Sequence, residues 1–141
     1  MRIGILDDNP VILDFLQATL TLDGHTVSSY TIGKTLLDAL FSPSSAAHTD
    51  TLPFDLVILD LLLPGAHSGA DVFLAIRKAF LAEELPILVI TAVGDPTLEQ
   101  FRRILPDDVP LLRKPFRPQV LRATIEKIMQ QSFEEKKGIQ R

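Results

Sequence analysis

Acidic side chains follow two of the most apolar segments of this sequence, at the points where those segments end. Asp7 and Asp8 come directly after the apolar run 3–6, and Asp60 closes the run 56–59. A carboxylate at the end of a buried strand costs free energy unless it is paired or functional. Neighbouring carboxylates repel one another until a cation neutralises them, and Mg²⁺ prefers such oxygen ligands. The three aspartates therefore form a candidate magnesium site.

A simpler interpretation exists for the first two of these residues. An acidic pair after a strand is more often a turn that leads into a helix, and here Asn9 can cap a helix whose first residue is Pro10. Asp60 favours the metal site, because a lone carboxylate after four apolar residues has no such local role. Three carboxylates at two strand ends make a site where one pair alone would not.

A hydroxyl and a cation follow two later apolar runs. Thr91 closes the run 87–90, and Lys114 comes after the run 109–112. Lys114 offers a positive charge that can pair with a developing anion, and Thr91 offers a hydrogen bond. Each residue alone is ordinary, since strand-end hydroxyls and surface lysines are common. The order Asp-Asp, Asp, Thr, Lys at successive strand ends makes the set specific.

The elements that must position these side chains are short strands. Four apolar runs predict strands that are buried on both faces, and a poorer fifth candidate lies at 25–29. The four runs are 3–6, 56–59, 87–90 and, more weakly, 109–112. Parallel strands have their carboxyl ends at the same edge of a sheet. We therefore expect the polar site residues that follow these runs to lie together at that edge.

Segments with helical spacing alternate with the strands. The segment 72–80 places its apolar side chains on one face and directs Arg77 and Lys78 away from it. A proline opens the first helix, and Pro118 opens the last. Five βα units of this kind predict an α/β fold, a three-layer sandwich in which helices cover both faces of a parallel sheet.

The composition narrows the possible functions. The 141 residues include no cysteine, which excludes disulfides, thiolate catalysis and cysteine zinc sites. A formal net charge of -4 argues against a surface that binds nucleic acid. The N-terminus has the pattern of neither a signal peptide nor a membrane span, so we expect a cytoplasmic protein. Residues 1–131 are predicted to form one domain, and residues 132–141 a charged C-terminal tail or linker.

Four segments together resemble the receiver domain of bacterial two-component response regulators, of which the chemotaxis receivers are one kind. The segments are IGILDDN at 3–9, DLVILDLLLPG at 55–65, PILVITA at 86–92 and KPF at 114–116, and the resemblance spans residues 2–131. Each segment is a weak signal, but the ordered set is a strong one. It implies a flavodoxin-like (βα)5 fold whose five-stranded parallel sheet has the order 2-1-3-4-5.

The resemblance also implies a phosphoryl-transfer role for the acidic cluster in a phosphorelay. Asp60 would be the phosphoacceptor and would take the group from a phosphohistidine of a sensor histidine kinase or phosphotransfer protein. Asp8 would bind Mg²⁺ directly and Asp7 largely through water, with Asp60 itself and the backbone carbonyl of Leu62 as further ligands. Mn²⁺ could replace Mg²⁺. Such a domain is not an enzyme in the usual sense, because it catalyses only its own phosphorylation and dephosphorylation.

A switch is the third implication of the resemblance. Thr91, Ala92 and Lys114 would contact the phosphoryl group and respond to it, while Leu111 stands where relatives commonly carry an aromatic residue. The phosphorylated form would change the binding of a partner, an output domain or a second copy. That binding would use the face formed by the fourth helix, the fifth strand and the fifth helix. The domain itself would contact neither nucleic acid nor membrane.

Two other functions would use the same fold differently. A phosphohydrolase with an aspartate nucleophile normally has a second carboxylate two residues later as its acid and base, whereas this chain has Leu62. An interaction module that works without phosphorylation is disfavoured, because the acidic site is intact. By the same resemblance, Leu62 and Val93 would flank the phosphoryl group. Both are apolar and cannot help to place an attacking water, so we predict slow self-dephosphorylation.

Overall fold

The computed structural model describes residues 1–41, 52–61, 63, 68–92 and 95–139, with only the backbone of 95–98 and 136–139. Five strands alternate with five helices along the chain. The elements are β1 (Arg2–Leu6), α1 (Pro10–Leu22), β2 (Thr26–Tyr30), α2 (Gly33–Phe41), β3 (Leu56–Asp60), α3 (Gly69–Ala79), β4 (Ile87–Thr91), α4 (Asp95–Arg102), β5 (Leu111–Arg113) and α5 (Pro118–Ile139). The predicted succession of five βα units is confirmed.

The strands form one parallel sheet in the order β2-β1-β3-β4-β5. Side chains of alternate residues enter two separate cores, one on each face. The core on one face is closed by α1 and α5, which contribute Leu16 and Leu121. The core on the other face is closed mainly by α2 and α3, which contribute Leu36 and Phe73. The predicted flavodoxin-like three-layer sandwich and its strand order are thus confirmed.

Local signals in the sequence set where two of the helices begin. Ahead of α1, the side-chain oxygen of Asn9 accepts a hydrogen bond of 2.9 Å from the backbone N–H of Val11. Ahead of α3, Ser68 and Asp71 form a capping box, in which each side chain accepts from the other residue's backbone N–H at 3.3 Å. These bonds satisfy N–H groups that lack partners within the helix.

The last strand and the last helix both differ from the sequence prediction. The last strand covers Leu111–Arg113 rather than 109–112, because Pro110 has no N–H to donate to a neighbouring strand. The last helix continues to Ile139, so residues 132–139 are helical in a segment predicted as a tail or linker. Ser132 is buried there, and its hydroxyl donates to the Glu83 carbonyl at 3.1 Å.

In the described part of the chain, no helix is long and apolar enough to cross a membrane.

The prediction that Arg77 faces away from the fold is wrong. Its guanidinium donates to the backbone carbonyl of Leu85 at 2.8 Å and to that of Phe80 at 3.4 Å. The guanidinium carbon also lies 5.5 Å from the centroid of the Phe73 ring. The long side chain curls around the end of α3, which helical spacing alone does not reveal. Lys78, in contrast, is exposed as predicted.

We predict that Arg77→Met lowers the free energy of unfolding by about 1–3 kcal/mol, because it leaves the Leu85 carbonyl without its donor. Lys78→Met is the matched control, since it removes one positive charge from the next residue of the same helix. That variant should change the free energy of unfolding by less than about 0.5 kcal/mol. Urea denaturation followed by circular dichroism measures both. Equal losses in the two variants would contradict the assigned role of Arg77.

Candidate functional site

Asp7 lies directly after β1 and is completely buried. Its Oδ1 accepts a hydrogen bond of 2.8 Å from the backbone N–H of Asn9, and its Oδ2 accepts one of 2.7 Å from Nζ of Lys114. Its own backbone N–H donates to the Tyr30 carbonyl at the end of β2. Both oxygens of this carboxylate therefore have protein partners, and its charge is neutralised inside the protein by a lysine.

Asp60 and Asp8 complete the acidic cluster. Asp60 is the last residue of β3 and is 4% exposed, whereas Asp8 is exposed at the start of the β1–α1 connection. One oxygen from each of Asp7, Asp8 and Asp60 lies within 4.8 Å of the others. The cluster therefore combines two buried carboxylates with one that faces solvent, and the predicted convergence of the three is confirmed.

Lys114 joins the two buried carboxylates. Its Nζ lies 2.7 Å from Asp7 Oδ2 and 3.2 Å from Asp60 Oδ2. Burial alone would lower the pKa of Lys114, but the hydrogen bond to Asp7 and the charges of Asp60 and Asp7 outweigh burial and raise it above its ordinary value. The backbone N–H of Lys114 donates to the Thr91 carbonyl at 2.8 Å, and the following bond to Pro115 is cis. Because its pKa is raised, Lys114 carries its positive charge at neutral pH.

Thr91 lies at the same edge of the sheet as the aspartates. Asp60 pairs with Ile90, so Thr91 is one residue further along the neighbouring strand, and it is completely buried. Ala92 follows it and is exposed. Leu111 pairs with Val89 and packs, half-buried, against the core that α2 and α3 close. Ala92 therefore follows Thr91 directly, whereas Leu111 lies one strand away, opposite a residue two positions before Thr91.

Gly69 is a residue near the site that the sequence analysis did not single out. Its backbone N–H donates to the Leu61 carbonyl at 3.1 Å. A Cβ added here would collide with the carbonyl oxygen of Asp60 and would lie 2.6 Å from the Leu61 Cα. Only glycine allows α3 to approach the end of β3 this closely. The Ser-x-x-Asp capping pattern at 68–71 was the signal that could have located this helix start.

The predicted site residues Leu62 and Val93 lie outside the described residues.

The residues present fit a divalent cation. Carboxylate oxygens are the ligands that hard divalent cations prefer, and the exposed Asp8 gives an ion access from solvent. Asp7 already uses both oxygens within the protein. Each of these oxygens keeps a second lone pair, so Asp7 can still contact an ion or a water bound to it.

Comparisons with known proteins identify the family of this chain. Residues 3–126 match the family model described as Response regulator receiver domain. The chain is 33% identical over 104 residues to the chemotaxis protein CheV1 of Helicobacter pylori, covering 74% of this chain and 31% of that protein. It is 33% identical over 124 residues to the uncharacterized transcriptional regulatory protein YrkP of Bacillus subtilis, covering 88% and 47%. The chain therefore spans less than half the length of these two relatives.

Solved structures agree with the fold. The chemotaxis protein CheY4 of Vibrio cholerae superposes with a TM-score of 0.68 at 24% identity, covering 90% of this chain and 97% of that one. A CheY-like receiver domain protein of Methanospirillum hungatei gives a TM-score of 0.72 at 22% identity, covering 95% and 97%. With the match of residues 3–126 to the family model, the chain belongs to the family of response regulator receiver domains.

Proposed function

We propose that this domain is the phosphoacceptor switch of a two-component system and that Asp60 accepts the phosphoryl group. The observation that carries the proposal is the shared lysine. Nζ of Lys114 lies 3.2 Å from Asp60 Oδ2 and 2.7 Å from Asp7 Oδ2, beside the exposed Asp8. A cation held at this point can neutralise charge that arrives on Asp60, and phosphoryl transfer depends on such positioning and neutralisation.

The reaction follows from the chemistry of the two groups. An oxygen of Asp60 forms a bond to the phosphorus of a donor phosphohistidine while the phosphorus–nitrogen bond breaks. The imidazole nitrogen keeps the electron pair of that bond and takes up a proton. Lys114 supplies a fixed positive charge next to the new aspartyl phosphate. The partner that donates the group would be a sensor histidine kinase or a phosphotransfer protein.

Asp8, Asp60 and the carbonyl of Leu62 would hold Mg²⁺, with Asp7 acting through water. When bound, the cation neutralises the carboxylates and the phosphoryl oxygens together. The chain's own contribution is the geometry around it. Asp7 holds the lysine through a 2.7 Å contact, and the Asn9 N–H holds Asp7 in turn.

The switch would depend on the residues that follow β4 and β5. Thr91, Ala92 and Lys114 can respond to a phosphoryl group, and a ligand shifts an equilibrium only through such differential contacts. Leu111 has neither a phenol hydroxyl nor a flat ring, so we assign the transmission to Thr91. The response would alter binding of an output domain or a second copy at the face of α4, β5 and α5. Because the chain covers under half of CheV1 and YrkP, an attached output domain is part of this proposal.

The first test is the acceptor itself. We expect Asp60→Asn to abolish labelling by radioactive acetyl phosphate in the presence of Mg²⁺ while the domain stays folded. Asp14→Asn is the control, because Asp14 is an exposed carboxylate on α1. It should be labelled at the wild-type level. Wild-type labelling of Asp60→Asn would show that another residue is the acceptor.

The second test is the metal site. Mg²⁺ should raise the melting temperature, because it binds the folded state selectively; tenfold excess over its dissociation constant corresponds to about 1.4 kcal/mol. Asp8→Asn should remove most of this shift, and Asp14→Asn should retain it. Calorimetry with Mg²⁺, Mn²⁺ and a chelator measures the effect. No shift of the wild type with either cation would argue against the site.

The third test separates Thr91 from Leu111. We expect Thr91→Ala to accept the phosphoryl group but to lose most of the resulting amide shifts at Ala92 and residues 99–112. Leu111→Ala should cost about 1–2 kcal/mol of stability, less than a fully buried leucine would, yet keep those shifts. Two-dimensional NMR with and without acetyl phosphate compares the variants. The reverse ranking would place the transmission at Leu111.

A further inference from the structure

The loop that carries Lys114 touches α1 through a pair of aromatic rings. Phe116 lies two residues after Lys114, and Phe15 lies in the second turn of α1. Their centroids are 5.9 Å apart, with the ring planes at 61° in an edge-to-face arrangement. Both rings are half-buried and pack against the core beneath α1 and α5. The pair therefore links the helix that follows Asp7 and Asp8 to the loop of the site lysine.

We propose that Phe15 is a positioning residue of the phosphorylation site, which acts by holding Phe116 and so fixes where Nζ of Lys114 lies between Asp7 and Asp60. The inference rests on the proposed function. Phe15 touches no reacting atom in this proposal, and its effect passes through the loop.

Besides the aromatic pair, the loop is held by the contacts of Lys114 to the two buried aspartates and by its tie to β4. On one side, the Lys114 N–H is tied to the Thr91 carbonyl at 2.8 Å. On the other side, Pro115 and Arg117 are exposed, so Phe116 is the side chain between Lys114 and the start of α5 that turns toward the core. Without its partner on α1, the loop would keep its tie to β4 but lose the lateral support that Phe15 provides.

The lysine tolerates little displacement. Its Nζ makes contacts of 2.7 Å and 3.2 Å to two different carboxylates, and hydrogen bonds weaken quickly beyond this range. A shift of about 1 Å at a catalytic group can cost up to about a hundredfold in rate. Replacing a phenyl ring by leucine keeps much of the apolar volume, so we expect a smaller effect of about three- to tenfold.

The experiment compares two aromatic pairs in the same protein. Phe15→Leu and Phe116→Leu break the pair at the site, singly and together. Phe80→Leu is the matched control, because Phe80 is half-buried like Phe15 and stacks on Phe41 with centroids 5.7 Å apart, on the other face of the sheet. Phe15→Tyr keeps the ring and tests rescue. The probes are acetyl phosphate for the initial labelling rate and Mg²⁺ alone for an NMR titration that follows the amides of Asp8 and Lys114.

We expect Phe15→Leu and Phe116→Leu each to lower the labelling rate about three- to tenfold and to shift the Lys114 amide. The double variant should be no slower than the slower single variant, because both remove one contact. Phe80→Leu should lose comparable thermal stability but keep the wild-type rate and spectrum near Lys114. Phe15→Tyr should restore both.

Two results would overturn the inference. One is a wild-type rate with an unchanged Lys114 amide in Phe15→Leu; the other is an equal loss of rate in Phe80→Leu, which would indicate general destabilisation. If Phe15→Leu does not fold, Phe116→Leu tests the same contact from the loop. A wild-type protein that accepts no label would contradict the proposed function instead, and the Lys114 amide would still decide the role of Phe15.

Discussion

The balance of charge between two buried carboxylates and one lysine is the constraint on which the rest of this structure depends. Asp7 and Asp60 are almost completely buried, and Lys114 contacts both. Removing one partner from a buried ion pair typically destabilises a protein by about 3–5 kcal/mol, because the remaining charge is left uncompensated. The three groups must therefore stay together in the folded state. The same requirement places the positive charge of Lys114 in the acidic site before any phosphoryl group arrives.

The parallel sheet is what makes this balance possible. Its strands are buried on both faces, so polar residues are tolerated at the strand ends, where the chain leaves the core. β1, β3 and β5 all end at the same edge, which brings residues 7, 60 and 114 together across more than a hundred positions of sequence. Close packing also brings α3 near the site, since Gly69 lets α3 approach the end of β3 more closely than any larger residue would.

The site is also tied to the helices that surround it. Phe116 links the lysine loop to Phe15 on α1, and α5 begins directly afterwards at Pro118. At its other end, α5 is held by Ser132, whose hydroxyl bonds to the Glu83 carbonyl in the connection between α3 and β4. Arg77 closes that same connection from α3. One helix therefore contacts the surroundings of the site at one end and the opposite edge of the sheet at the other.

The sequence by itself determined the fold class, the strand order implied by the family resemblance, and the convergence of Asp7, Asp8, Asp60, Thr91 and Lys114. The fold class and the convergence follow from apolar runs, from proline and capping signals, and from the rule that parallel strands end together, whereas the strand order came only from the resemblance. Only the tertiary structure decided which carboxylate is buried with both oxygens engaged and which faces solvent, because burial depends on neighbouring strands that are distant in sequence. It also decided that Arg77 curls back onto carbonyls, that α5 extends to Ile139, and that Phe15 meets Phe116. The positions of long side chains and helix ends depend on packing partners that are distant in sequence. The local spacing of residues does not reveal those partners.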